Sequence, residues 1–229
     1  MKHFAFLLGL IIGVGSVTSP IRAQTPEDLD PPTKAELDEI RSATEKYQDP
    51  EMALAEGYLR DPMNLCAVAG EEGLPAELGA MGVHFFRPDL LGITGTAPRV
   101  SGTGMHTDFL HPSVLVYYPD ETGALRLGAV ENLVWEGAWK AAGNEGPPEF
   151  HGHPYTHRID DPATLDVDEA HMFEPHFELH VWLFQPNPAG VFAQYNPAVS
   201  CEHYVGPRTM AEAMEYMSTQ APPEGDTQP

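Results

Sequence analysis

The run His176–Phe184 constrains the fold more than any other segment, because polar and apolar side chains alternate along it. Alternate side chains of a β-strand point to the same face of its sheet. One face of such a strand is apolar, whereas the other carries two imidazoles, a carboxylate and an indole, from His176, Glu178, His180 and Trp182. The run therefore predicts a strand that presents a row of chemically active groups on one face.

Four further segments have the two-residue period of a strand. They are Val83–Phe86, Val114–Tyr118, Leu125–Trp135 and Val191–Tyr195. The second and third are joined by Pro119–Gly123, whose composition is typical of a turn. These two segments therefore predict an antiparallel hairpin.

Helical periodicity lies towards the two ends of the predicted domain. Thr33 and Glu36 have the spacing of a capping box, and apolar residues recur at helical intervals after them. A second short helix is predicted over Pro50–Glu56, and a last one over Arg208–Met217. This order predicts an α+β fold in which the N-terminal helix packs on a mostly antiparallel sheet, with long irregular loops such as residues 141–175.

The ends of the chain predict an exported protein. Its first residues are basic, then apolar, then small at Ala23, which is the order of a secretory signal peptide. The apolar stretch is shorter than the roughly 20 residues that span a bilayer, so we expect cleavage near Ala23, no membrane anchor, and a periplasmic or secreted location. The predicted organisation is a signal peptide over 1–23, a flexible lead over 24–32, a single α+β domain over 33–217 and a disordered tail over 218–229.

Charge and cysteine content narrow the possible functions. The chain has 34 Asp and Glu against 12 Lys and Arg, for a formal charge of −22, which argues against binding to nucleic acid or to anionic membranes. Its two cysteines, Cys66 and Cys201, are expected to form a disulfide in an oxidising compartment. A metal-binding or redox role for the pair is the alternative.

Three strand-borne residues predict a metal site. Glu131 interrupts an apolar row of the Leu125–Trp135 strand, and a buried carboxylate is costly unless it is paired or bound to a metal. His84 stands in another apolar strand. With His176 or His180, these residues would form a site of two imidazoles and one carboxylate, suited to Zn or Fe. A hydrogen-bonded His–Glu pair that buttresses the sheet is the alternative.

Two further groups are candidates for binding. Glu178, Trp182 and Phe86 are predicted to contact a small ligand on the same sheet.

The segment His151–His157 has the order H-x-H-x-x-x-H, with His171 and Met172 beyond it, and imidazole with thioether would suit Cu. The alternative is an exposed loop without a tight site.

The sequence leaves three classes of function open. It contains no G-x-S-x-G, S-x-x-K or H-E-x-x-H motif and no dinucleotide fingerprint. The first hypothesis is a protein that binds a metal ion or small ligand at the His- and Glu-bearing sheet face without catalysis. A metal-dependent or acid/base enzyme that uses the same residues is the second, and a structural or interaction module is the third.

Several motifs together resemble a family of exported bacterial proteins of unassigned function. They include Ala43-Thr44-Glu45-Lys46-Tyr47, a Gly-x-His segment ending at His84, the HFELHVWL run from His176, and the segments Asn187–Gly190 and Asn196–Cys201. The resemblance covers most of residues 40–201 and departs at Val83 and Phe184, where aromatic residues and Trp are usual. It implies a single exported domain and no particular mechanism.

Overall fold

A seven-stranded antiparallel sheet lies at the centre of this computed structural model, which describes residues 29–96, 98–164 and 168–220. The predicted signal peptide, residues 24–28 of the predicted lead and residues 221–229 of the predicted tail lie outside the described residues. The strands are β1 (Leu59–Arg60), β2 (Cys66–Val68), β3 (Ala80–Phe86), β4 (Ile93–Gly95), β5 (Ser101–Gly102), β6 (Val114–Pro119), β7 (Leu125–Trp135), β8 (Glu149–Phe150), β9 (His153–Pro154), β10 (Thr156–Arg158) and β11 (His176–Trp182).

The order in the central sheet is β1-β3-β6-β7-β11-β10, and β2 also pairs with β3. Two small ribbons, β4–β5 and β8–β9, lie outside it. The helices are α1 (Pro31–Thr44), α2 (Pro50–Ala55), α3 (Pro88–Leu91), α4 (Glu136–Ala141) and α5 (Met210–Gln220), with 3₁₀ turns at Glu45–Gln48, Ala69–Glu72 and Ala76–Leu78. The predicted α+β class and the antiparallel β6–β7 hairpin are confirmed.

The two faces of the sheet are covered by different parts of the chain. On one face, Phe85 packs against Tyr117 with ring centroids 4.7 Å apart. The hydroxyl of Tyr117 donates a hydrogen bond of 2.7 Å to the carbonyl of Tyr47, just after α1. The opposite face lies against residues 61–65, the turn that contains Glu72 and residues 171–173. Both faces are therefore buried, and polar groups on the second face are held inside the protein.

The structure differs from the predicted elements at several places. Helix α5 covers Met210–Gln220 instead of Arg208–Met217, so the first three residues of the predicted disordered tail are helical. Helix α1 begins at Pro31 rather than at Thr33, because the Asp30 carboxylate caps it by accepting hydrogen bonds from the backbone and hydroxyl of Thr33. Residues 141–175 include β10, which pairs with the edge strand β11. Val191–Tyr195 is not a strand, because the carbonyls of Ala193 and Tyr195 accept hydrogen bonds from side chains.

A disulfide joins the beginning and the end of the domain. Cys66 in β2 is bonded to Cys201, with their Cα atoms 5.9 Å apart, as predicted. Disulfides persist in oxidising compartments, so the bond indicates an environment of the extracellular type. Within the described ranges, no helix is both long and apolar enough to cross a membrane.

Candidate metal site

Two imidazoles and one carboxylate converge on the buried polar face of the sheet. The Nε2 atom of His84 lies 3.5 Å from Oε2 of Glu131, and Nε2 of His180 lies 3.3 Å from the same oxygen. One ligand atom from each residue lies within 4.8 Å of the other two. The structure thus brings together the predicted pair His84 and Glu131 with one of the two predicted strand histidines.

The strand order explains why these side chains meet. His180 in β11 is paired directly with Glu131 in β7. On the other side, Glu131 is paired with Val114 in β6, and His84 in β3 is paired with Val116. His84 and Glu131 therefore lie on the same face but on strands separated by β6, and they approach each other past the short side chain of Val114.

The polar atoms of this cluster have few partners. Glu131 and His180 are 2 % and 1 % exposed, and His84 is partly exposed. Within the described part of the chain, Oε2 of Glu131 and Nε2 of His180 are buried without a hydrogen-bond partner. A buried polar atom that lacks a partner costs about 1–3 kcal/mol. A cation bound between these atoms would remove that cost.

Burial sets the protonation of the three groups. It lowers the pKa of His84 to about 3, and a neighbouring imidazole, His180, adds to this shift. Burial also lowers the pKa of His180 to about 4. Both imidazoles are consequently neutral at pH 7, which is the form that binds metals. Burial raises the pKa of Glu131 well above its usual range, and the nearby carboxylate of Glu178 raises it further.

A small cavity adjoins the cluster. It measures about 30 Å³, counted as the space open to the centre of a water molecule. Its lining includes His84 and Glu131 together with a second carboxylate and two further imidazoles, from Glu178, His171 and His176. Two of the three candidate ligands, His84 and Glu131, therefore have space beside them for additional groups of the size of water.

A network of buried ions lies next to the cavity. Nη2 of Arg158 is 2.6 Å from Oε2 of Glu72, which also accepts a hydrogen bond from the hydroxyl of Tyr195. Nε2 of His171 is 3.2 Å from the same carboxylate oxygen, and Nε of Arg158 is 3.5 Å from Oε1 of Glu178. Each carboxylate thus has a cationic or potentially cationic partner, as buried charges require.

The positive charges of this network lower the pKa values of its carboxylates, whereas burial raises them. Burial alone would raise the pKa of Glu72, but His171 and Arg158 lower it below its usual value. Arg158, with His176 and His180, lowers the pKa of Glu178 well below its usual range against the same opposing effect. Glu178 is therefore ionised at neutral pH, and the shift of its pKa is opposite in direction to that of Glu131.

His176 belongs to this network and not to the metal-ligand cluster. Its Nδ1 atom is 2.9 Å from the carbonyl oxygen of Glu174, and its Nε2 atom is 3.3 Å from Oε2 of Glu178. Oε1 of Glu178 accepts a further hydrogen bond of 2.8 Å from Gln194. Both ring nitrogens of His176 are thus engaged, whereas Nε2 of His180 faces Glu131.

The remaining predicted site residues lie in different places. Phe86 and Glu178 line the cavity. Trp182 stacks on His180 at a centroid distance of 6.3 Å, and its indole donates a hydrogen bond of 2.6 Å to the carbonyl of Ala193. Trp182 therefore packs against the imidazole of His180, a candidate metal ligand, and does not line the cavity.

The loop histidines do not join the cluster. His151 is 2.6 Å from Glu36 of α1, and His153 packs on Phe192 with centroids 4.1 Å apart. His157 lies against Phe177, which is on the apolar face of β11. The three residues have separate partners, so the described loop does not form one site with the sheet.

Sequence reasoning missed Glu72, Arg158 and the role of His171. Glu72 lies in a 3₁₀ turn whose sequence carries no periodic signal. The only sequence signal for Arg158 is that it is a basic residue in a strongly acidic chain. Its position beside His176 follows from the pairing of β10 with β11. No family model, curated protein or solved structure matches this chain.

Proposed function

We propose that this protein binds a divalent transition-metal ion through Nε2 of His84, Oε2 of Glu131 and Nε2 of His180. The observation that carries the proposal is the convergence of these three atoms within 4.8 Å, with two of them buried and unpartnered. Imidazole and carboxylate ligands suit Zn and Fe, and imidazole also suits Cu. The alternative, a His–Glu pair that only buttresses the sheet, would pair Oε2 of Glu131 with one of the two imidazole nitrogens and leave the other without that partner.

Two of the three distances between the proposed ligand atoms fit tetrahedral coordination. Two ligand atoms placed about 2.0–2.1 Å from a tetrahedral Zn²⁺ are about 3.4 Å apart. The two N–O distances in the cluster are 3.5 and 3.3 Å. Three protein ligands would leave a fourth position, and the adjacent cavity has room for it. Zn²⁺ is therefore the first ion to test, followed by Fe²⁺ and Cu²⁺.

We also propose that the protein is located outside the cytoplasm. The disulfide between Cys66 and Cys201 supports an oxidising compartment. The signal-peptide pattern of residues 1–23 and the resemblance to exported bacterial proteins support a periplasmic or secreted protein, cleaved near Ala23.

An enzyme that uses the same metal is the second candidate. The observation in its favour is the cavity beside the ligands, because catalytic zinc sites combine three protein ligands with an open position.

The experiment that tests the proposal is metal analysis by plasma mass spectrometry of the untagged, natively exported protein. We expect close to one equivalent of metal in the wild type and its loss in His180→Ala. The matched control is His153→Ala, which removes a partly buried imidazole outside the cluster. Equal metal content in wild type and His180→Ala, or metal-free wild type after incubation with Zn²⁺, Fe²⁺ and Cu²⁺, would refute the proposal.

A further inference from the structure

The size of the cavity limits what else could bind at the proposed metal site. The cavity volume of about 30 Å³ leaves room for only a few water molecules. Pockets for organic ligands are typically larger by an order of magnitude, about 300–1,000 Å³.

The walls of the cavity are parts of the packed core. Six apolar residues of the lining are between 1 and 6 % exposed, namely Met63, Leu65, Ala67, Met81, Leu133 and Phe173. Close-packed interiors do not expand without repacking, so these walls fix the size. The carboxylate of Glu178 also lines the cavity, which makes it polar enough to hold water rather than remain dry.

Part of the cavity wall is shared with a groove at the protein surface. Leu65, Ala67 and His171 line both the cavity and a surface groove of about 390 Å³. His171 and the following Met172 have positive φ angles of 52° and 62°, which L-residues seldom adopt. A molecule in the groove would therefore contact residues that also line the cavity.

On the basis of the proposed metal site, we infer that this site accepts only exogenous ligands of a few non-hydrogen atoms, of the class of water, dioxygen and hydrogen peroxide, and excludes organic molecules. If the protein is an enzyme, its substrate belongs to this class. If it is a binding protein, the remaining coordination position holds water.

The test uses the full-length mature protein loaded with Co²⁺, whose visible absorption reports changes in coordination. Cyanide serves as the diatomic probe and imidazole as the larger one, and retained Co²⁺ is measured by mass spectrometry at each step. We expect cyanide to shift the spectrum of the wild type while Co²⁺ stays bound, and imidazole to leave it unchanged.

Two variants enlarge the cavity and one serves as a control. Phe86→Ala and Met63→Ala each remove a lining side chain, and Phe184→Ala removes a partly buried phenyl ring elsewhere. We expect imidazole to bind at least one of the enlarged variants about tenfold or more tightly than the wild type, equivalent to ~1.4 kcal/mol, and not to bind Phe184→Ala.

The outcomes separate this inference from the proposed function. If the wild type binds Co²⁺ and responds to imidazole as readily as both enlarged variants do, the inference is wrong while the metal site stands. If the wild type binds Co²⁺ but does not respond to cyanide, the inference is also wrong, because no exogenous ligand enters. If the wild type does not bind Co²⁺ at all, both the metal site and the inference fail.

Discussion

His180 in β11 lies directly opposite Glu131 in β7, and Nε2 of the first is 3.3 Å from Oε2 of the second. The same oxygen faces Nε2 of His84 from the other side. One carboxylate oxygen therefore stands between two neutral imidazoles, an arrangement that a shared cation would stabilise and that a proton can satisfy on only one side at a time.

Zinc should stabilise the folded protein, and the effect should depend on Glu131. A ligand that binds only the native state at a hundredfold its Kd adds about 2.7 kcal/mol to the free energy of unfolding. We expect excess Zn²⁺ to raise the Tm of the wild type and to leave the Tm of Glu131→Gln unchanged. Glu77→Gln, which alters an exposed carboxylate, should respond to Zn²⁺ like the wild type. Equal Tm shifts in all three proteins would count against the site.

The stability of the metal-free protein should fall as pH rises through the range in which Asp61 titrates. Burial raises the pKa of Asp61 to about 6, against about 3.9 in an unfolded chain. Because the folded-state pKa is the higher one, the protonated form favours folding. This contribution is fully present below about pH 4 and is lost as pH rises through about 6, a change of about 3 kcal/mol.

The variant Asp61→Asn tests the pH dependence of stability directly. Asparagine keeps the Oδ1 atom that accepts a hydrogen bond of 3.1 Å from the backbone N–H of Met63. In buffers with a chelator, we expect the variant to be the more stable protein at pH 8 and the difference to vanish near pH 4. Urea denaturation at both pH values measures it. A difference that does not change with pH would show that folding does not raise the pKa of Asp61.

Loss of the disulfide should lower stability without changing the fold. Cross-links that close long loops are worth about 2–4 kcal/mol, and this one joins residues separated by 135 positions. We expect the double variant Cys66→Ala/Cys201→Ala to show a urea midpoint lowered accordingly. Wild type kept reduced should match it, whereas identical midpoints for the oxidised and reduced wild type would mean that the bond contributes nothing.

Gly82 should be irreplaceable because of where β3 meets β6. Its φ is +115°, and a Cβ there would collide with the carbonyl oxygen of Tyr117. Gly82→Ala should therefore cost about 2–3 kcal/mol and weaken metal binding, since His84 lies on the same strand. Gly137→Ala in α4, where nothing lies within 4 Å of the added methyl group, should instead be neutral or stabilising by up to about 1 kcal/mol. Thermal melts and zinc titrations of the two variants compare the sites.

The ligand-bearing strands were predictable because alternation is a local signal. The period of two in β11 and β7 fixes which side chains share a face. It predicted that His180 lies on the polar face of its strand and that Glu131 interrupts an apolar face. The Asp30 cap was missed because Thr33 and Glu36 offered a plausible capping pair two residues inside the helix. The first residue of such a helix depends on which of two nearby polar side chains accepts a hydrogen bond from the free backbone N–H groups.

The choice among the histidines was not predictable, because it depends on strand order. Only the placement of β6 between β3 and β7 brings His84 past Val114 to Glu131. His176 and His180 have the same alternation, and their roles differ because Glu178 and Arg158 stand beside the first. Arg158 reaches this position through β10, an edge strand too short to give a periodic pattern.

The covalent topology adds a property that no single contact has. The bond between Cys66 and Cys201 turns the intervening chain into a closed ring, and His84, Glu131 and His180 all belong to that ring. A protease that cuts one peptide bond in an exposed loop of the ring opens it but releases neither fragment. All three groups then stay tethered to one another, so the cut molecule can reassemble the site without a bimolecular encounter.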